Sequence, residues 1–139
     1  MSDKIFLDTN VLVYAHDSSE PDKKDKSQKL IFDGLRAKTV VISTQVLSEF
    51  FVTITQKVKH PLTVARARNE IELLSHLETV EIDVDLVIHA IDLKQRWMVN
   101  YWDALILAAS ERAGCHVVYS EDMSDRQTYG KLIVHNPFK

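Results

Sequence analysis

Five short apolar runs mark this chain, and all but the last pair are separated by stretches of helical periodicity. The runs are Lys4–Leu7, TVVIS at 39–43, TVEID at 79–83, HVVYS at 116–120 and KLIVHN at 131–136. They read as continuous apolar segments, not as alternating ones. A strand with one wet face alternates in polarity, whereas a strand covered on both faces does not. Strands of the second kind interleaved with helices specify an α/β chain: a mainly parallel sheet of about five strands, covered on both sides.

The intervening segments carry their own boundaries. VLVYAH is a short helix after the first strand, and the polar stretch 18–26 with Pro21 is a loop. Asp25 to Lys38 has Leu30, Ile31, Gly34 and Leu35 at helical spacing. Ser43 or Thr44 caps a helix that reaches about Lys59 and stops before Pro61. Thr63 caps a helix to Leu77, a further helix spans Val84 to Trp97, and Asn100 caps the last, Tyr101 to Ala113, with Gly114 as its stop. Trp97, Tyr101 and Trp102 read as core anchors for these helices. No repeat, low-complexity tract or linker divides the chain, so residues 1–139 are expected to form one domain.

Composition narrows the function classes. The net charge of −3 argues against a protein that coats polyanions with its whole surface, so any nucleic-acid contact must be local. One cysteine, Cys115, excludes an intramolecular disulfide, and its apolar neighbours suit a buried, inert thiol. MSDKIFLD lacks the apolar stretch of a signal peptide, and no apolar run reaches the roughly 20 residues of a membrane span. A reducing, cytoplasmic setting is the expectation.

Acidic residues carry the chemistry. Asp8 and Asp122 each follow a strand, and Asp103 lies in the first turn of a helix inside the apolar run YWDALILAA. In an open parallel sheet, functional groups gather beyond the carboxyl ends of the strands. An unpaired carboxylate among apolar residues costs several kcal/mol or shifts its pKa, and a divalent cation offsets that charge. A set of carboxylate oxygens suits a hard ion such as Mg²⁺ or Mn²⁺. Each acid also has a plainer role: an Asx turn for Asp8, a capping pair with Asn100 for Asp103, a solvated loop for Asp122. By periodicity Glu49 projects away from the apolar face of Val46, Leu47, Phe50 and Ile54, and reads as exposed beside Gln45 and Gln56.

These pieces resemble a known family. IFLDTNVLVYA, STQVLSEFF, YWDALILAAS and VVYSEDM followed by NPF are similar, in order and spacing, to the motifs of PIN-domain ribonucleases, specifically VapC-like toxins of type II toxin–antitoxin pairs. The resemblance covers essentially the whole chain. It implies a three-layer α/β/α fold and a metal-dependent endoribonuclease using one or two Mg²⁺ or Mn²⁺ ions. It implies that Asp8, Glu49, Asp103 and Asp122 form the site, which brings in Glu49 where periodicity does not. Asn10 and Ser120 match accompanying polar residues, and Asp125 is an auxiliary candidate. The implied partners are an RNA substrate, a VapB-like antitoxin over the helices around Glu49, and a second copy of the chain. Phe50, Phe51 and Ile54 suit such an interface or the core equally.

RNA must also meet cations. Lys23 and Lys24 begin one basic cluster, and Lys57, Lys59, Arg66 and Arg68 belong to a second. Two other functions share this fold class. A phosphoryl-accepting receiver module would want paired acids after the first strand, where this chain has Asp8 and then Asn10. A non-catalytic RNA-binding PIN domain would keep the fold without the reaction.

Overall fold

The computed structural model describes residues 3–139, so the first two residues of the expected 1–139 domain lie outside the described part. The elements are β1 (Ile5–Leu7), α1 (Thr9–Tyr14), α2 (Pro21–Ala37), β2 (Val40–Ser43), α3 (Thr44–Gln56), α4 (Val64–Leu74), β3 (Glu78–Val80), α5 (Val84–Trp97), α6 (Tyr101–Arg112), β4 (Val117–Tyr119), β5 (Thr128–Tyr129) and β6 (Leu132–His135). They form a six-stranded sheet of order β3-β2-β1-β4-β6-β5, parallel throughout except for the antiparallel β5–β6 pair.

Strand order follows from the connections. β1 to β2 to β3 steps outward in one direction; α5 and α6 then carry the chain back past β1 to β4. Right-handed crossovers put the outward and returning helices on opposite faces of the sheet. Accordingly α1 contacts α2 and α3, α3 contacts α4, and α5 lies along α6. The register aligns Phe6 with Val41 on one side and Val118 on the other. Phe6, Val41, Ile42, Val118 and Val134 are fully buried, as the unbroken apolar runs require.

Local chemistry fixes the helix ends. Ser43, Thr63, Asp83 and Asn100 cap α3, α4, α5 and α6 through their side-chain oxygens. The third strand stops at Val80, short of Asp83: the Ile82 N–H goes to Thr44 Oγ1 at 3.2 Å and the Asp83 carboxylate takes the Leu86 N–H at 2.9 Å as the cap of α5. α2 begins at Pro21, ahead of Asp25, since proline is well tolerated in a first helical turn. Gly34 lets α2 sit on β2: a Cβ there would collide with the Val40 side chain. β5 is the element that the apolar runs do not announce; two residues suffice because Arg126 and Val134 add backbone bonds beside it.

Phe50 and Ile54 are fully buried and Phe51 partly so, which places the first two in the core instead of at an interface. Trp97 is half-buried with its ring edge-on to Tyr129, and Tyr101 is partly buried. Trp102 departs from the anchoring role: it is 62% exposed, because Ala104 to Ser110 already fill the inward surface of α6. Cys115 is buried, and burial pushes its thiol up to about 12. No helix among the described residues is long and apolar enough to cross a membrane.

Candidate functional site

The strand order reverses between β1 and β4, and such a switch point opens a crevice at the carboxyl edge of a parallel sheet. Asp8 directly follows β1 and Ser120 directly follows β4. α3 starts at this edge after β2 and bears Glu49; α6, which leads back into β4, also starts here and bears Asp103.

Asp8 is the innermost acid, 7% exposed. Its Oδ1 accepts the Thr9 backbone N–H at 2.7 Å, and its Oδ2 accepts the Ser120 hydroxyl at 2.7 Å. Burial raises its pKa to about 6 from an ordinary 3.8; the charges of Asp122 and Glu49 push the same way, and the Ser120 and Thr9 bonds push back. The Ser120 oxygen also accepts the N–H groups of Asp122 and Met123, each at 3.2 Å, and so folds the loop after β4.

Asp103 is half-buried, and its pKa is raised by burial first, then by the charges of Asp122 and Glu49. Asn100 and Asp103 form a reciprocal cap: the Asp103 N–H donates to Asn100 Oδ1 at 2.9 Å, and Asn100 Nδ2 donates to Asp103 Oδ2 at 3.0 Å. Capping and membership of the acidic edge are therefore compatible. Tyr129 lies near enough that Asp103 adds to the rise of its phenol pKa, behind burial.

Glu49 is partly buried and held at both oxygens, by Thr9 Oγ1 at 2.9 Å and Gln45 Nε2 at 2.9 Å. Asp122 is exposed and accepts Asn10 Nδ2 at 3.1 Å, while Asn10 Oδ1 takes the Glu121 N–H at 3.2 Å. Asp8 and Asp103 thus each feel the charges of Glu49 and Asp122 at this edge, with Asn10 bonded to Asp122 and Ser120 to Asp8. Asp125 is directed elsewhere: it accepts the Asn136 N–H at 2.8 Å and faces His135, fastening the C-terminal tail.

Two neighbours were not legible beforehand. Thr9 spans from α1 to Glu49, and its only sequence signal is its place between Asp8 and Asn10. Gln45, grouped by periodicity with exposed polar residues, is buried; its Nε2 donates to Glu49 and, at 3.2 Å, to the Trp102 carbonyl. Two acceptors facing that nitrogen fix the amide's orientation.

The basic candidates separate. Lys57 and Lys59 line a groove of about 410 Å³ together with Glu49 and Asp122. Lys23 reaches the same edge, but its ammonium is held by Glu121 at 2.7 Å and lies over the Tyr14 ring. Lys24 and Arg66 line a different cleft, of about 540 Å³ between α2 and α4, which none of the four acids borders. Arg68 pairs with Glu72 along α4 at 3.1 Å.

The donor set is entirely oxygen, which suits a hard divalent ion. Among the described residues no three His, Cys, Asp or Glu side chains are gathered closely enough to hold one ion. An ion here would take one or two carboxylates directly and water for the rest, the usual habit of Mg²⁺.

The PIN domain family model matches residues 5–129. No curated protein matches the chain. Among solved structures, the chain is similar to a toxin–antitoxin complex from Klebsiella pneumoniae (TM-score 0.69, 18% identity, 96% of this chain and 98% of that one). It is similar to DNA-bound VapBC from Salmonella typhimurium (0.69, 18%, 99% of each). It is also similar to VapC20 of Mycobacterium tuberculosis, a sarcin–ricin loop cleaving toxin (0.63, 18%, 86% and 90%). At such identities the structural likeness establishes the fold.

Proposed function

The chain belongs to the PIN domain family, and from that premise we propose that it is a metal-dependent endoribonuclease acting as the toxin of a toxin–antitoxin pair. The observation that carries this reading is the meeting of Asp8, Glu49, Asp103 and Asp122 at the sheet's switch point, from four separate elements. Residues 1–139 act as one domain.

Asp8 and Asp103 would hold Mg²⁺ or Mn²⁺ directly, with Glu49 and Asp122 acting through water, at a second ion, or on the nucleophile. When bound, such an ion screens the phosphate's charge and lowers the pKa of ligated water. The chain's own side chains do the positioning. Ser120 and the Thr9 N–H fix the Asp8 carboxylate, Thr9 and Gln45 fix Glu49, and Asn10 fixes Asp122. Fixed acceptors of this kind orient a water toward phosphorus without a covalent enzyme intermediate. Lys57 and Lys59, on the groove wall, neutralise RNA phosphates.

Likeness to a toxin–antitoxin complex and to VapBC supports a VapB-like antitoxin as partner; the same reading takes the antitoxin to cover the helices around Glu49, the chain to form a homodimer, and the setting to be cytoplasmic. The deciding experiment incubates purified chain with total RNA in Mg²⁺, Mn²⁺ or EDTA, beside Asp103→Asn. Internal cuts that need metal and vanish in the variant are the expected result. RNA left intact in both metals, or cut equally in EDTA, refutes the reading.

A further inference from the structure

A second groove, of about 690 Å³, runs beside α3 and the start of α6. Gln45, Glu49, Val52, Lys57, Ile82 and Trp102 contribute to its walls. Trp102 is 62% exposed, although every residue from Ala104 to Ser110 in the same helix is buried. An aromatic face left in water at the rim of a groove is a surface on which a flat ligand can stack. The side chain is braced: Tyr101 meets it edge-on, with ring centroids 5.1 Å apart at 73°. Its backbone carbonyl accepts the Gln45 amide that also holds Glu49.

The two grooves are continuous at one wall. Glu49, Thr53 and Lys57 line both, so a chain lying along the acids can pass over this wall into the groove that holds the indole. We propose that this groove is a base-binding subsite for single-stranded RNA, in which Trp102 stacks on the nucleobase next to the phosphate held at the acidic edge. The inference rests on the nuclease reading and adds how substrate is gripped. A nucleotide matches the surface on two counts: its base has an apolar face for Trp102, Val52 and Ile82, and its phosphate is anionic for Lys57. Stacking on an aromatic ring accepts every base, so the subsite favours unpaired RNA without selecting a sequence.

The test uses the full chain with Ca²⁺ in place of Mg²⁺, so that the carboxylates carry an oxygen-seeking ion while cutting is slow, and a fluorescein-labelled single-stranded oligoribonucleotide read by anisotropy and checked on a gel for integrity. Trp102→Leu should weaken binding roughly 5- to 140-fold, the range for loss of one stacked base. Trp102→Phe, which keeps a ring, should stay within about 3-fold of wild type. A base-free ribose-phosphate oligomer should bind wild type and Trp102→Leu alike. Unchanged binding by Trp102→Leu, or equal loss with the base-free oligomer, overturns the proposal. Sedimentation showing that Trp102→Leu splits a dimer overturns it too, because the occupant is then a second copy. Cleavage in Mg²⁺ separates the two readings. Wild type that cuts, with KM unmoved in Trp102→Leu, keeps the nuclease and sinks the subsite. Wild type that binds through Trp102 and never cuts does the reverse.

Discussion

Asp8→Asn should make the metal-free protein more stable at pH 8, although it removes a hydrogen-bonded residue from the interior. A rise of the Asp8 pKa from 3.8 to about 6 means that the folded chain holds this proton more tightly than the unfolded chain. The group's contribution is therefore fully present below about pH 3.8 and is lost as pH rises through about 6. At about 1.4 kcal/mol per tenfold change in proton affinity, the ionised carboxylate costs the fold about 3 kcal/mol above that range. Asparagine carries no charge and keeps an oxygen for the Thr9 N–H. The figure of about 3 kcal/mol already includes the Ser120 and Thr9 bonds to the carboxylate; what the amide brings is an NH₂ where the Ser120 hydroxyl needs an acceptor, which costs roughly 1–2 kcal/mol. The net gain at pH 8 is then about 1–2 kcal/mol, or a Tm higher by roughly 3–6 °C for a chain of this size. At pH 4 the gain should vanish or reverse. Paired thermal melts in EDTA across pH 4–8 measure the difference, which cancels the titration of Asp83, Glu121 and Asp125, whose pKa values are lowered in the fold. A difference that does not change with pH would refute the reasoning.

Three further outcomes are expected. Thr9→Val removes the hydroxyl that holds Glu49 while keeping its shape, so denaturant melts should shift by no more than about 1.5 kcal/mol; under the nuclease reading RNA cleavage should fall at least tenfold, and undiminished cleavage would count against Glu49 as a site residue. Gly34→Ala pushes a methyl into Val40 and should destabilise by about 1–3 kcal/mol; an unchanged urea midpoint would show that α2 lifts off the sheet without cost. Cys115, buried with its thiol pushed up to about 12, should resist iodoacetamide at pH 8 until the chain is unfolded; labelling of the native protein within minutes would contradict this placement.

Parts of the site were legible because their cause is local. Asn100 three residues before Asp103 is a capping pair wherever the helix goes. Asp8 at the end of an apolar run must lie at a strand's carboxyl edge. Glu49 was legible only by resemblance: periodicity set it among exposed polar residues, since a helical wheel marks the core face and not which neighbour stands beside the other faces. Trp102 misled for the opposite reason. Its bulk suggests a core anchor, but the inward surface of α6 was already filled by residues further along. Lys23 looked free for RNA, and the fold gave its charge to Glu121.

By itself the order of residues determined the α/β class, the capped helices and the buried strands, because hydrophobic periodicity and capping act within a few residues, and its single cysteine excluded an intramolecular disulfide. Only the tertiary structure decided which strands adjoin, and hence that the crevice opens between β1 and β4. It also decided that Ser120 reaches Asp8 across 112 positions of chain. A buried carboxyl's proton affinity is set by everything packed around it, and that surrounding is assembled from segments that no local rule relates.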